Sequence, residues 1–593
     1  MNRRFVCVAM SLMALTLASL AEPAASNLAA EYRDGQVFLT WKEAPEPEGT
    51  TFSVYLSDRP ITDATLGTAQ RVCAHINPRS ARDWWLDPSI YVADGSQPKP
   101  DPKTGVVPVD PRIGFVIREG GKPLDADGGL HVHTVAPGEE GPRYYAVTCV
   151  KGKTEDRTIV PGQNALTAPV HQTRAPLRPI WLGEPGKAPA AAPAGRPVLM
   201  YLHGKGRSPA KDYLVFGDGS HGWREGLAFK FELEVTHDLI TVNPKDSMWL
   251  GRPFAEGNDG MTKNKPVIFT FWYGCSDKIY DPALIPTGTP TAYSEQRLLW
   301  ILSWVREHFQ ADSNRVYSTG SSMGGCGGVQ FALRHPEVFA AIYAGVPIVA
   351  YNEGDPKRNW PDNTWRMIPA TGPFDLKTSD GMTLRERVDA ARFVRTHWGD
   401  LPFLVTCGGR NDASIPWHNN PNFYRALQEG RHGALVAWND GTHGEVEVKT
   451  PPDFNRWGEF RGLSRFAINK SYPAFSRCSM DADPGNGDAT NGVVVGFMNR
   501  GLDWEDPKDE PKRYEILIRW TLDPAALPVT VDVTPRRVQA FRLAPRESCS
   551  AANLDADGKE IQRFRLGTDE HGLLTCAGFR ITSAKGNRLV LSR

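Results

Sequence analysis

The sequence predicts a doubly wound α/β core flanked by N-terminal and C-terminal β-sandwich-like domains. Three observations lead there. The middle of the chain alternates short apolar runs with helical spacing, the pattern of a parallel sheet covered on both faces. The stretches before and after it carry short alternating strands and turn residues, without helical periodicity. At 593 residues the chain is too long for one hydrophobic core. The expected partition is an export signal over 1–21, a β domain over 22–175, the α/β core over 176–470 and a second β domain over 471–593.

Arg3-Arg4 precede an apolar run from Phe5 to Leu20, and Ser19-Leu-Ala21 forms a small-x-small cleavage site. This reads as a secretory signal, so the expected location is secreted or periplasmic. The run is too short to span a bilayer, and no later segment is apolar for long enough, so no membrane span is expected. Gln36–Trp41, Thr51–Leu56, Leu130–Val135 and Arg143–Val150 then read as strands, interrupted by a Pro/Asp-rich insertion from Asp87 to Pro111. Lys187 to Gly195 is a Pro/Ala-rich connector.

Core strands are expected at Val198–Leu202, Leu239–Asn243, Val267–Trp272, Val316–Thr319, Ala341–Ala344, Phe403–Cys407 and Leu435–Trp438. The clearest helix runs from Ala292 to Phe309, with Leu298, Leu299, Leu302, Val305 and Phe309 on one face. Beyond Ser471, Tyr514–Trp520, Val529–Val533 and Gly578–Ser583 read as strands. Asp481 to Asp488 has carboxylates enough for calcium but reads as a solvated turn.

The chemistry concentrates after the strand at Val316. Gly320-Ser-Ser-Met-Gly324 is a G-x-S-x-G turn between that strand and a helical run at Val329–Pro336. Such an elbow lifts Ser322 Oγ clear of the sheet and sets a helix N-terminus beneath a developing oxyanion. A serine so placed needs a base and an acid. Asp412 follows the strand ending at Gly409, and His443 follows the strand ending at Trp438. Strand ends deliver both to the sheet edge that carries Ser322. Upstream, Val198–Leu202 ends in His203-Gly-Lys-Gly206, a loop able to offer a second oxyanion donor. His203 precedes the serine and is expected to pack there. Asp440 is a rival acid, but Asp440-Gly441 is a turn signal.

On these motifs, over about Pro179 to Lys470, the chain resembles the alpha/beta-hydrolase superfamily. It looks most like secreted esterases of the feruloyl-esterase and polyhydroxybutyrate-depolymerase kind, and like the prolyl-oligopeptidase catalytic domain. The resemblance implies that Ser322 is the nucleophile, His443 the base and Asp412 its orienting acid. It implies an oxyanion hole from the N–H of Met323 and one from Lys205 or Gly206. Lys205 departs from the HGGG pattern. The early Trp and late Tyr-x-Val strand of the N-terminal part resemble a fibronectin type III module.

The expected activity is hydrolysis of polymer-linked or plant-derived acyl esters. A peptidase of the prolyl-oligopeptidase kind is the alternative, and a non-catalytic carbohydrate-binding or adhesion protein a second one. Trp249, Trp272 and Trp417 stand at loop positions suited to an acyl or sugar pocket.

Lys+Arg and Asp+Glu both total 68, which gives no electrostatic case for nucleic acid. Neither cofactor nor metal is expected, since no C-x-x-C pair or His cluster occurs. Removing the signal leaves eight cysteines, an even count that argues for disulfides in an exported chain. The domain map suggests Cys73–Cys149 and Cys549–Cys576. The pairing of Cys275, Cys326, Cys407 and Cys478 stays open, with a brace at Cys326 or buried thiols as the choices.

Overall fold

Alternation of apolar and polar residues builds the N-terminal strands, and turn residues separate them. The computed structural model describes residues 24–83, 122–173, 195–205, 230–254, 265–351 and 363–593, apart from short gaps, together with Ile117 and Leu214–Val215. The expected export signal, the insertion at 87–111, most of the Pro/Ala connector, Trp360 and Gly206 lie outside the described residues. The chain forms two units, Met1–Arg82 with Leu124–Arg174, and Asp83–Pro123 with Ala175–Arg593. The expected boundary at 470 falls inside the second.

In the first unit, β1 (Ala25–Arg33), β2 (Gln36–Glu43) and β5 (Gly129–Thr134) form one antiparallel sheet. A second contains β3 (Thr50–Ser57), β4 (Gln70–Ile76), β6 (Gly141–Lys151), β7 (Thr154–Asp156) and β8 (Val170–Gln172). A single helical turn, α1 (Ser80–Asp83), is tied to β5 because Ser80 Oγ accepts from Leu130 N at 2.7 Å. Val37, Leu39 and Trp41 of one sheet share a core with Phe52, Val54 and Val147 of the other.

The disulfide expectation is corrected here. All eight cysteines are buried thiols and none is joined in a disulfide. Cys73 pairs with Val54 and Cys149 with Phe52, so β3 runs between them. Two strand spacings are roughly 10 Å, beyond the ~7 Å reach of a disulfide. Cys549 and Cys576 stand in the C-terminal sheets, where burial pushes their thiols up to about 11 and about 12.

The second unit is organised around a nine-stranded sheet. It takes β9 (Val198–Leu202), β10 (Leu214–Val215), β11 (Lys230–Val235) and β12 (Ile240–Pro244) from the first part of the unit. The segment expected as a strand at Val267–Trp272 is not in it. Instead β13 (Met248–Phe254) and β14 (Lys265–Ile268) form a separate hairpin. Phe271 and Trp272 have φ of 52° and 66°, which no strand accepts, so the extended run stops at Ile268. A short ladder, β15 (Cys275–Ser276) with β16 (Pro290–Thr291), leads into helix α2 (Tyr293–His308).

The sheet then adds β17 (Val316–Ser321), β18 (Ala341–Gly345), β19 (Phe403–Gly409) and β20 (Ala434–Asn439), with helix α3 (Met323–Gln330) directly after β17. Its order is β10-β11-β12-β9-β17-β18-β19-β20, followed by β22 (Gly496–Met498). From β12 to β20 neighbours are parallel, while β11 and β22 pair antiparallel at the two flanks. The mostly parallel α/β core is therefore present, with its far edge completed by chain from beyond residue 470 and its second face covered largely by strands rather than by the helices expected there.

One face of this sheet packs on α2 and α3 through Met200, Val242, Leu298, Leu302 and Val329. The other face shares a core with the C-terminal strands, where Tyr317, Phe403 and Val405 meet Trp504, Tyr514 and Val531. Those strands form two further sheets. β21 (Tyr472–Ser476), β26 (Val529–Arg536) and β29 (Cys576–Ile581) make one. β23 (Leu502–Trp504), β24 (Lys508–Glu510), β25 (Arg513–Trp520), β27 (Ser548–Leu554), β28 (Glu560–Gly567) and β30 (Asn587–Ser592) make the other. Among the described residues no helix is long and apolar enough to cross a membrane.

Candidate active site

The turn between β17 and α3 is a backbone device. Ser322 has φ 60° and ψ −120°, a conformation that costs a non-glycine residue about 1–3 kcal/mol. Surrounding structure holds it there. Ser322 N donates to Gly345 O at 2.9 Å, and Ser322 O accepts from Cys326 N at 2.9 Å. Close approach explains the flanking glycines: a Cβ on Gly320 or Gly324 would overlap the Leu202 carbonyl oxygen of β9. The helix begins at Met323, immediately after the serine rather than at Val329 as the residue pattern suggests. Its first turn is Met-Gly-Gly-Cys, a poor helix former in isolation that packing against β9 and β18 imposes.

Three side chains meet at this turn. His443 Nε2 lies 2.8 Å from Ser322 Oγ, and His443 Nδ1 lies 2.7 Å from Asp412 Oδ2. The Asp412 side chain is fully buried, and that of His443 is 31% exposed. Asp412 Oδ1 accepts from Ser414 N at 2.8 Å and Ile415 N at 2.9 Å, so its carboxylate is fixed before it meets the imidazole. The histidine loop is fixed as well. Asn439 Oδ1 accepts from Gly441 N, Asn439 Nδ2 donates to Val446 O, and Glu445 Oε2 accepts from both Thr442 N and Thr442 Oγ1. Asp440, the rival acid, is half-exposed and pairs with Lys449 Nζ at 3.2 Å.

Met323 is the first helical residue, so its N–H has no acceptor within the helix. Lys205 follows Gly204, where an added Cβ would stand 3.8 Å from Ser322 Cβ. His203 is turned away from the serine. Its Nε2 accepts from Asp246 N at 3.0 Å, and its ring meets the Trp272 ring edge-on at 5.0 Å. Asp246 is itself buried and accepts from Thr270 N at 3.1 Å and from Thr270 Oγ1. Burial pushes its carboxyl above the usual range.

The tryptophans expected to line a pocket divide differently. Trp272 is buried against Leu202 and Gly327, and Trp417 is buried against Tyr424 and Trp438. Both rings are spent on packing, because apolar loop residues beside a sheet this large are drawn into its core. Trp249 lies in β13, paired with Val267. Among the described residues near the serine, Trp365 is exposed, with Lys205 Nζ 5.5 Å and Arg366 4.3 Å from its ring centre.

Glu447 was not foreseen from sequence. Its Oε1 accepts from Ser321 Oγ at 2.5 Å and from Tyr343 OH at 2.6 Å, joining the histidine loop to the elbow strand and to β18. It lies four positions beyond His443, on the single helical turn Val446–Lys449, and that spacing is the hint the sequence offers. Among the described residues no group of three or more His, Cys, Asp or Glu is arranged to hold a metal. Asp481 instead accepts from Asn499 N and Gln428 Nε2, and its carboxyl is pushed up to about 6 by burial.

Comparison with known proteins gives a family match and several structural likenesses. The model of the Prolyl oligopeptidase family matches residues 295–450, which include Ser322, Asp412 and His443. No curated protein matches the chain. An S-formylglutathione hydrolase from Agrobacterium tumefaciens is 20% identical, over 42% of this chain and 78% of its own, with a TM-score of 0.27. A ferulic acid esterase is 15% identical, over 46% and 86%, with a TM-score of 0.25. A structure from a study of two prolyl endopeptidases is 11% identical, over 71% and 50%, with a TM-score of 0.27.

Proposed function

We propose that this protein, a serine hydrolase of the alpha/beta-hydrolase type, cleaves carboxylic esters through an acyl-enzyme on Ser322. The observation that carries the proposal is the unbroken hydrogen-bond chain from Ser322 through His443 to the buried Asp412. In this reading His443 Nε2 takes the serine proton as Oγ attacks the ester carbonyl. It then returns that proton to the departing alcohol. Asp412 holds the Nδ1–H and stabilises the imidazolium that forms. The carbonyl oxygen becomes an oxyanion that accepts from Met323 N–H and from a second donor at Lys205 or Gly206. Water then repeats the attack on the acyl-enzyme, with His443 again as base.

The match to the Prolyl oligopeptidase family favours a second reading, a peptidase on the same three residues. An ester gains from its better leaving group, whereas an amide demands full protonation of the amine. The preferred substrate is an ester because the described rim offers an aromatic and two cations rather than an acidic anchor for a peptide N-terminus. We also read residues 1–21 as an export signal. The two sheets of the first unit, sharing one core, support its reading as a fibronectin type III-like module.

The test is a paired panel on the purified protein, with Ser322→Ala as the blank. Nitrophenyl acetate and butyrate and methyl ferulate are expected to turn over, and proline or alanine anilides far more slowly. Efficient anilide cleavage with feeble ester turnover would promote the peptidase reading.

A further inference from the structure

The described rim of the site is cationic and aromatic, and it is built from the loop after β9 and the segment after β18. Lys205 comes from the loop after β9, one residue beyond the Gly204 that faces Ser322. Arg366 comes from the segment after β18, and its Nη2 donates to Ser414 O at 3.1 Å. Ser414 N in turn donates to Asp412, so Arg366 is anchored two residues from the buried acid. Both cations approach the Trp365 ring, with Lys205 Nζ 5.5 Å and the guanidinium carbon of Arg366 4.3 Å from its centre. At 37% exposure, the indole also keeps a face toward solvent.

We propose that this Lys205–Trp365–Arg366 rim binds a carboxylate, so that the ester hydrolysed at Ser322 carries an anionic group beside the scissile bond. The inference rests on the ester-hydrolase reading and names its substrate class. Three features support it. Two positive charges brought to one ring repel each other, and an anion relieves that repulsion. The cost is visible at Lys205, whose ammonium is pushed down to about 8 by burial and by the charge of Arg366. Arg366 is also pre-arranged. Its Nε donates to Asn363 Oδ1 at 2.7 Å, so with the Ser414 bond its planar fork is held before any ligand arrives. A guanidinium fixed in this way matches a carboxylate in geometry as well as charge. The indole then supplies a platform for a flat or apolar part of the same molecule.

The test compares each of two acids with its neutral methyl ester. 4-Nitrophenyl hydrogen glutarate places the carboxylate in the acyl part, and 4-acetoxybenzoate places it in the alcohol part. The expected result is kcat/KM about tenfold higher for at least one acid than for its methyl ester, the scale of one partly exposed charge-assisted contact. Arg366→Gln and Lys205→Gln should each shrink that ratio several-fold, and 0.5 M salt should shrink it in the unaltered protein. Protection of Ser322 from a fluorophosphonate probe supplies a readout independent of turnover. 3-Phenylpropanoate should protect better than its amide, and Arg366→Gln should erase the difference. Equal protection by acid and amide, or neutral esters preferred in both pairs, overturns the carboxylate rim. If no ester is turned over while the acid still protects, the rim stands and the ester-hydrolase reading falls.

Discussion

The elbow and the rim lie side by side but are made in different ways. The elbow is backbone. Ser322 is forced to φ 60° between β17 and α3, and Gly320 and Gly324 leave room for the Leu202 carbonyl. Everything it needs lies within a few residues of the serine or at the end of a parallel strand. The rim is side chain. Lys205, Trp365 and Arg366 meet from loops 160 residues apart in sequence, on surfaces the sheet does not dictate. The difference teaches which part of an enzyme a fold determines: strand ends deliver the chemistry, and loops decide what reaches it.

The largest expected effect lies on the elbow side. Asp412→Asn should lower kcat by about 10⁴, because the wrong imidazole tautomer then faces the serine. Asp440→Asn should stay within about twofold, since the Asp440 carboxylate is half-exposed and pairs with Lys449 on the surface. Steady-state kinetics on a nitrophenyl ester reads both, and the reverse ranking would move the acid to Asp440. Glu447→Gln should cost about tenfold in kcat with KM little changed. It weakens the acceptor that ties the histidine loop to Ser321 and Tyr343 while preserving side-chain size. A change in KM alone would assign Glu447 to substrate contact instead.

Smaller effects concern stability. Gly324→Ala should destabilise by about 2 kcal/mol or more in thermal unfolding, because the new methyl overlaps the Leu202 carbonyl. Gly444→Ala, with nothing within 4 Å, should move stability by less than about 0.5 kcal/mol. Equal effects would mean the elbow is looser than its geometry. His432 supplies the pH-dependent case. Burial pushes its imidazole down to about 3, while its ring bonds the Val394 carbonyl at 2.8 Å. Below the ordinary histidine range near 6.5 the unfolded chain takes up a proton that the folded one refuses, so this group's contribution to stability falls as pH drops from about 6.5 toward 3. His432→Gln should flatten that part of a pH–stability curve; an unchanged slope would contradict the assignment.

The same contrast explains what could be read in advance. The placement of Ser322, Asp412 and His443 could be read because each follows the C-terminal end of a strand, and a strand's apolar run announces itself. Strands β9, β17, β18, β19 and β20 fell within one or two residues of expectation for that reason. β14 was misplaced as a sheet strand because Phe271 and Trp272 are β-formers by composition while their backbone turns with positive φ. β22 was missed because Gly496-Phe-Met498 is too short to carry a pattern. Trp272 and Trp417 are buried rather than set in an open pocket, because burial of a loop aromatic depends on tertiary neighbours that periodicity does not encode. The Cys73–Cys149 pairing failed for a related reason: even counting says nothing about the strand lying between them.

The central claim is that Ser322 is a nucleophile activated by His443. Peptide mapping after brief exposure to a fluorophosphonate probe tests it most directly, on the unaltered protein and on Ser322→Ala and His443→Ala. A single adduct on the peptide bearing Ser322, absent from Ser322→Ala and formed at least a hundredfold more slowly in His443→Ala, is the predicted result. An adduct that persists in Ser322→Ala, or forms as fast without His443, would contradict it.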